Sequence, residues 1–452
     1  MDHSAQLGEQ RVSDLLLKFS IPAIVGMMVN ALYNVIDRVF VGQGIGYLGI
    51  AGVTVGFPIM LILMAFGMLI GIGATALISI RLGQQRKDEA EAIAAHCLVL
   101  LIAVSLIIGA GGLVFLNPLL KVFGASPEVM PYAQDFLRII LLGAVFQSVG
   151  FGMNNIIRAE GSPRIAMATM LIGAILNALL CYVFVFIFKW GIKGAATATV
   201  ISQGISSVWV LHYFFSTRSL LKIRRKNLKL NLSIVGQIIA IGSAPFAMQV
   251  AASVIQAILN KSLIHYGGDV AISGMGIVQS VAMLILMPIF GINQGAQPII
   301  GYNYGAGKFD RVIEALKLAI FAATAVVIVG FAIIQVFPVQ IIRLFEDNPD
   351  LISFGSRALR IFLIFLPIIG FQIVSANYFQ AVGKPKHAMF LSLSRQVIIL
   401  IPAVLILPRF FALDGVLIAG PVADLCSSLI TGFWLWRELK LLGRKQDLRF
   451  VS

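Results

Sequence analysis

The sequence predicts an all-α polytopic membrane protein, with 12 transmembrane helices arranged as two six-helix repeat bundles. Three observations carry this. The chain is 59% hydrophobic and only 12% charged, where a soluble domain carries roughly 25% charged residues. Apolar runs recur from end to end, each long enough to cross a hydrocarbon core about 30 Å thick as a helix. The chain also repeats itself at an offset of 222 residues: Leu137-Arg138-Ile139 meets Leu359-Arg360-Ile361, and Gly161-x-Pro163 meets Gly383-x-Pro385. Gly73 meets Gly295 and Gly83 meets Gly305 at the same offset, while a one-residue slip brings Pro22 onto Pro245 and Gly194 onto Gly415.

In chain order the expected spans are 14–40, 50–80, 92–116, 131–157, 165–188 and 194–215, then 234–264, 270–300, 313–337, 351–380, 388–408 and 413–436. Residues 1–215 form a first bundle and 234–452 a second. Between them Ser216–Ser233 is the one long polar connection, with six basic residues, and reads as a cytoplasmic linker able to touch anionic lipid heads. The 13 residues before the first span are polar, and no cleavable signal peptide is expected. Pro22, Pro245, Pro288 and Pro298 fall inside predicted helices, where each removes a backbone hydrogen bond and permits a bend. Glycines at GxxxG spacing, Gly52/Gly56, Gly67/Gly71, Gly291/Gly295 and Gly301/Gly305, are expected to pack helices within each bundle.

The net charge of +14 could suggest nucleic acid, but its distribution assigns it to topology. With the N-terminus, the even-numbered connections and the C-terminus on one side, that side holds 24 of the 34 Lys and Arg residues. Basic loops stay in the cytoplasm, so the expectation is a multi-pass protein of the cell (inner or plasma) membrane with both termini inside and no nucleic-acid partner. Cys97, Cys181 and Cys426 are scattered in spans without metal or disulfide spacing and read as small core residues.

Catalytic motifs fail on context. Gly44-x-Gly46-x-x-Gly49 follows a membrane helix instead of a strand, and the glycine-rich stretch from Gly301 to Lys308 has the wrong spacer and ends on Phe309 instead of Ser or Thr. The five histidines share no metal-ligand spacing, and neither HExxH nor GxSxG occurs. An enzyme is therefore not expected, nor a cofactor. Two related halves in a membrane instead enclose a site that rocking exposes to alternate sides, with energy supplied by an ion gradient.

Asp37, on the first span, is the sharpest site candidate. Acids within spans usually face a cavity and work. Desolvation favours the neutral carboxyl, so such a group can take up a proton on one side and release it on the other. Alternatively it can hold Na⁺ with nearby oxygens, for which Tyr33, Asn34, Asn177 and Thr199 are candidates. The repeat-equivalent pair is Asn260-Lys261, so coupling should be asymmetric and housed in the first bundle. Asp424, on the last span, is the second acid, either coupling or pairing with a neighbouring helix. Pro22 shares a helix with Asp37 and is the candidate hinge.

Ser20-Ile-Pro22 leading to Asp37, Asn154-Asn-Ile-Ile-Arg-Ala-Glu-Gly-Ser-Pro163, Gly191 to Gln203 and Gln297 to Ala306 together resemble the multidrug and toxic compound extrusion (MATE) family, prokaryotic type. The resemblance covers nearly the whole chain. It implies a V-shaped pair of bundles exporting cationic or amphipathic organic compounds in exchange for H⁺ or Na⁺. It places the family's first-helix acid on Asp37, the tyrosine one turn earlier on Tyr33, and the polar partners on Asn177 and Thr199. Where many relatives have Asn-x-x-x-Asp on the fifth helix, this chain reads Asn177-Ala-Leu-Leu-Cys181, which favours H⁺ over a full Na⁺ site. The substrate is expected between the bundles, with Met153, Asn154, Asn155, Gln256, Met283 and Phe371 as candidate lining. A lipid-linked precursor flippase of related architecture is the alternative; it would need basic residues in the central cavity. A monomer in the bilayer is expected, because one chain already encloses a site.

Overall fold

The computed structural model describes residues 6–45, 47–123, 125, 127–224, 227–344 and 349–450, and their regular structure is helical throughout. The first half contains α1 (Gln6–Glu9), α2 (Val12–Ile45), α3 (Tyr47–Gly83), α4 (Lys87–Val114), α5 (Leu116–Val122) and α6 (Met130–Leu142). It continues with α7 (Ala144–Ala159), α8 (Pro163–Tyr182), a π-helix over Val183–Ile187, and α9 (Gly191–Phe215). The second half opens with α10 (Leu232–Gly305), two spans merged across a break at Gly268, where φ is 65°. It proceeds through α11 (Phe309–Val336), α12 (Pro338–Arg343), α13 (Pro349–Phe362), α14 (Leu366–Ala381) and α15 (Pro385–Leu393). A second π-helix (Ser394–Leu400), α16 (Ile401–Ile406) and α17 (Pro408–Phe450) complete it.

Among the described residues ten helical segments are long and apolar enough to cross a membrane, or up to 12 if each of two bent pairs counts as one span. The bent pairs are α6 with α7, at 52°, and α13 with α14, at 51°. Pro367, near the start of α14, lacks the N–H that would continue the ladder across the second bend. The helical assignment also runs on through Pro22 in α2 and through Pro245, Pro288 and Pro298 in α10.

The repeat is visible in the backbone. Left-handed residues occur at Gln85 and Gly307, at Gly161 and Gly383, and at Gly191 and Ala412. The first two pairs fall at the offset seen in the sequence and the third one residue short of it. Gly161 and Gly383 each close the turn before a Pro-initiated helix, a conformation a Cβ resists.

The glycines correct one expectation. Gly52 and Gly56 pack on Tyr132 and Leu137, and Gly71 on Gly152, all within the first half. Gly291 and Gly295, however, meet Ile24 and Ser20, and Gly301 and Gly305 meet Ser79 and Ile80, so these pairs join the two halves. Arg81 Nη2 donates to Gln237 Oε1 (3.3 Å) and Gln85 Nε2 to the Tyr302 hydroxyl (3.2 Å) in the same region. These cross-half approaches concentrate at the end of the bundle where the basic connections lie. The reason is backbone proximity: glycines of α3 and α10 bring these helices together, and glycines of α10 admit the backbone of α2 at Ser20 and Ile24.

The connection between α9 and α10 is anchored to the first half. Glu160, just beyond α7, accepts from Ser219 Oγ and the Leu221 N–H, both at 3.1 Å. Glu91 pairs with Arg224 at 2.8 Å, and His96 Nε2 accepts the Asn231 N–H at 2.8 Å. Glu91, Glu160, Tyr213 and the basic residues Lys87, Arg218, Lys222 and Arg224 line a cavity of about 360 Å³.

Burial pushes the Glu160 carboxyl from 4.5 up to about 7, although Tyr213, Ser219 and the Leu220 and Leu221 amides hydrogen-bond it. A raised carboxyl means the folded state binds the proton more tightly. Its contribution is complete below the unfolded value near 4.5 and is lost as pH rises through 7. That interval is worth about 3 kcal/mol. Thermal unfolding in detergent should therefore show stability falling between about pH 4.5 and 7 in the wild type, with that portion of the slope absent in Glu160→Gln. An unchanged slope in the variant rejects the assignment.

Candidate functional site

Residues four apart share a helix face, and two such pairs converge in the first half. Tyr33 and Asp37 lie on α2, and Asn177 and Cys181 on α8. The Cys181 thiol donates to Asp37 Oδ1 at 3.6 Å. Asn177 Nδ2 donates to Thr199 Oγ1 at 3.1 Å, and that hydroxyl donates to the Ala195 carbonyl at 3.1 Å. Asn177 and Thr199 are each 2% exposed and Cys181 is fully buried, whereas Asp37 keeps partial exposure. Tyr33 interacts with both Thr199 and Asp37. Four of the five ion-site candidates in the first half are thus brought together; the fifth, Asn34, lies outside the residues whose side chains are described.

By composition Cys181 reads as a core residue. It is buried as expected, yet it also touches the acid. Directly after it α8 widens into the π-helix Val183–Ile187, and π-bulges frequently occur at functional sites. Phe40 packs on Tyr182 and Phe186 there, with ring centroids 6.2 and 5.7 Å apart. In the sequence, only the departure from the Asn-x-x-x-Asp pattern points to this position.

Asp424 lies in the second half, 2% exposed, and accepts from Arg395 Nε at 2.5 Å. Arg395 sits in the second π-helix. A buried pair is strongly destabilised when one partner is removed, by about 3–5 kcal/mol, while replacing both with apolar residues is often neutral. Arg395→Met alone should therefore lower thermal stability sharply, and Arg395→Met with Asp424→Leu should restore it. If the restored double variant also transports at wild-type rates, Asp424 is structural; lost transport assigns it to coupling.

The candidate lining residues divide. Met153 is fully buried in the main apolar core, and Asn155 accepts from Arg158 Nη1 at 2.6 Å while its Nδ2 donates to the Phe151 carbonyl. Asn154 is buried with its Oδ1 unpartnered. Gln256 is exposed and donates to Asn260 Oδ1 at 3.0 Å, Met283 is exposed, and Phe371 is half-buried beside Gly432. The structure thus leaves Gln256 and Met283 exposed and holds the α7 residues inside. Among the described residues no three His, Cys, Asp or Glu side chains are grouped to hold a metal ion.

The MatE family profile matches residues 22–183 and again 245–405, one copy in each half. Multidrug export protein MepA of Staphylococcus haemolyticus is 26% identical over 94% of this chain and 93% of its own length. MepA of Staphylococcus aureus is 27% identical over 92% of each chain. Among solved structures, the MATE multidrug transporter DinF-BH is 41% identical with a TM-score of 0.89, covering 95% of this chain and 96% of that one. An outward-facing MATE family transporter of the MOP superfamily is 25% identical with a TM-score of 0.91, covering 97% and 98%. Ten to twelve candidate spans among the described residues and a family module matched once in each half agree with these likenesses, and the chain belongs to the MatE family of multidrug transporters.

Proposed function

We propose that this protein exports cationic or amphipathic organic compounds from the cytoplasm in exchange for H⁺, by alternating access between two lobes, 1–215 and 234–452, joined by the 216–233 linker. The observation that carries the reading is the half-buried Asp37 with the Cys181 thiol on one oxygen and the Asn177–Thr199 pair and Tyr33 beside it. An organic cation and a proton cannot both neutralise one carboxylate, and that competition couples export to proton entry. A proton moving inward down 100 mV supplies about 2.3 kcal/mol before any pH gradient is added.

The choice of H⁺ over Na⁺ rests on donors. Na⁺ is a hard cation that prefers oxygen ligands. Here a soft thiol, not a second carboxylate oxygen, fills the position facing Asp37. The orientation follows from the basic loops, which put both termini in the cytoplasm, and one chain suffices as a monomer. The flippase reading is not favoured: it needs basic charge free in the central cavity, and the intramembrane Arg395 is neutralised by Asp424.

Proteoliposomes loaded with ethidium test the coupling. Efflux driven by an imposed pH gradient and indifferent to a Na⁺ gradient is expected. Efflux driven by Na⁺ alone overturns the choice of ion, and no efflux under either overturns the substrate class.

A further inference from the structure

The residues before the first span read in the sequence as a polar lead-in, yet they are built into the protein. Leu7 has no exposed surface and Gly8 is buried. The Leu7 carbonyl accepts from Asn303 Nδ2 at 2.9 Å and Arg311 Nη2 at 3.2 Å. The Gly8 carbonyl accepts from Lys308 Nζ at 2.8 Å, and the Gln10 carbonyl from Arg311 Nη2 at 2.5 Å. All these donors belong to the second half. On the other side Gln6 Nε2 donates to the Gly161 carbonyl of the first half at 3.2 Å, and Lys18 Nζ fixes the Gln6 side chain at 2.6 Å. Gly8 fits because it lacks a side chain: a Cβ there would lie 2.9 Å from the Tyr302 ring. Tyr302 is also the residue whose carbonyl meets Gly83 and whose hydroxyl is held by Gln85.

We propose that residues 6–10 are a strap that ties the two halves together at the basic end and must let go each time that end opens. The strap spans the seam, and its second-half attachments are charge-assisted bonds from Lys308 and Arg311, which are stronger than neutral ones. Arg311 is held for the task, its Nε donating to Asn303 Oδ1 at 3.0 Å. A segment that binds only one conformation shifts the equilibrium towards it by its differential affinity. The strap therefore biases the cycle towards the state closed at the basic end. This inference rests on alternating access, but its readout is a distance within the protein and needs neither substrate nor coupling ion.

Spin labels at Asp88→Cys and Lys386→Cys, both exposed at the basic end, report the gap; Cys97 and Cys181 are buried, and Cys426→Ser removes the third thiol. Deleting residues 2–10 should raise the ratio of long to short distances at least tenfold. Lys308→Met with Arg311→Met, which leaves the strap in place, should do nearly the same. Combining the two should add nothing further, because both remove one contact. An unchanged distance distribution overturns the proposal, as do additive effects, which would mean that the two cations act elsewhere. Should the deletion fail to give a monodisperse protein, the Lys308/Arg311 variant decides alone.

Discussion

Asp37→Asn should abolish gradient-driven export, lowering the initial rate at least a hundredfold, while the protein still folds. The geometry separates the two outcomes. Asn matches Asp in size, and its amide oxygen still accepts from the Cys181 thiol where Asp37 Oδ1 now does. The neighbouring Asn177–Thr199 bond does not involve Asp37 and should persist. What disappears is the carboxylate proposed to exchange its charge with a proton. Binding of an organic cation should weaken and lose its dependence on pH, because competition for the carboxylate is gone. Cys181→Ser is the companion variant: a hydroxyl keeps a donor towards Asp37, so export should stay within a few-fold of wild type. Retention of export in Asp37→Asn within a factor of two would move coupling elsewhere, with Asp424 the next acid to examine.

Much of this is legible from residue spacing. The spans can be read because a bilayer demands long apolar helices, and the duplication survives as glycines, prolines and an Arg at one fixed offset. Asp37 stands out because a carboxylate in a span needs a reason. Other features are set by tertiary contact and leave weak local signals. The break at Gly143 between α6 and α7 has no proline to announce it. Cys181 is an ordinary apolar-face residue by composition and gains its meaning from lying against Asp37. Arg395 becomes Asp424's partner only when the eleventh and twelfth spans are packed together. Leu7, alone in a polar stretch, offers no periodicity, yet the seam between the halves buries it completely. Spacing alone says that Gly291 and Gly305 are suited to packing, but not which helix they meet.

That last ambiguity leads to the second large effect, on the seam between the halves. A Cβ at Gly242 would lie 1.7 Å from the Leu69 carbonyl oxygen, and one at Gly73 2.2 Å from that of Ile238, so α3 and α10 touch backbone to backbone. At Gly83 the nearest atom is the Tyr302 oxygen at 1.9 Å, and at Gly305 it is the Ile80 oxygen at 2.1 Å. Gly83 and Gly305 are repeat equivalents, so each half offers the same bare surface to the other. Backbone atoms cannot swing aside as a side-chain tip can, and a single methyl must push two helices apart. Overpacking of this kind costs about 1–3 kcal/mol, and here it falls wholly on the state closed at the basic end. Gly242→Ala and Gly83→Ala should therefore lower transport tenfold or more and shift the spin-label distances towards an open basic end. Gly236→Ala is the matched control: it lies earlier on the same helix, with no atom within 4 Å of the added carbon. Ala is favoured over Gly inside a helix by about 1 kcal/mol, so that variant should be as stable as wild type or slightly more so. If Gly242→Ala behaves like Gly236→Ala, the halves do not close on their glycines, and the seam has to be held by the polar contacts around Tyr302, Gln85 and the strap.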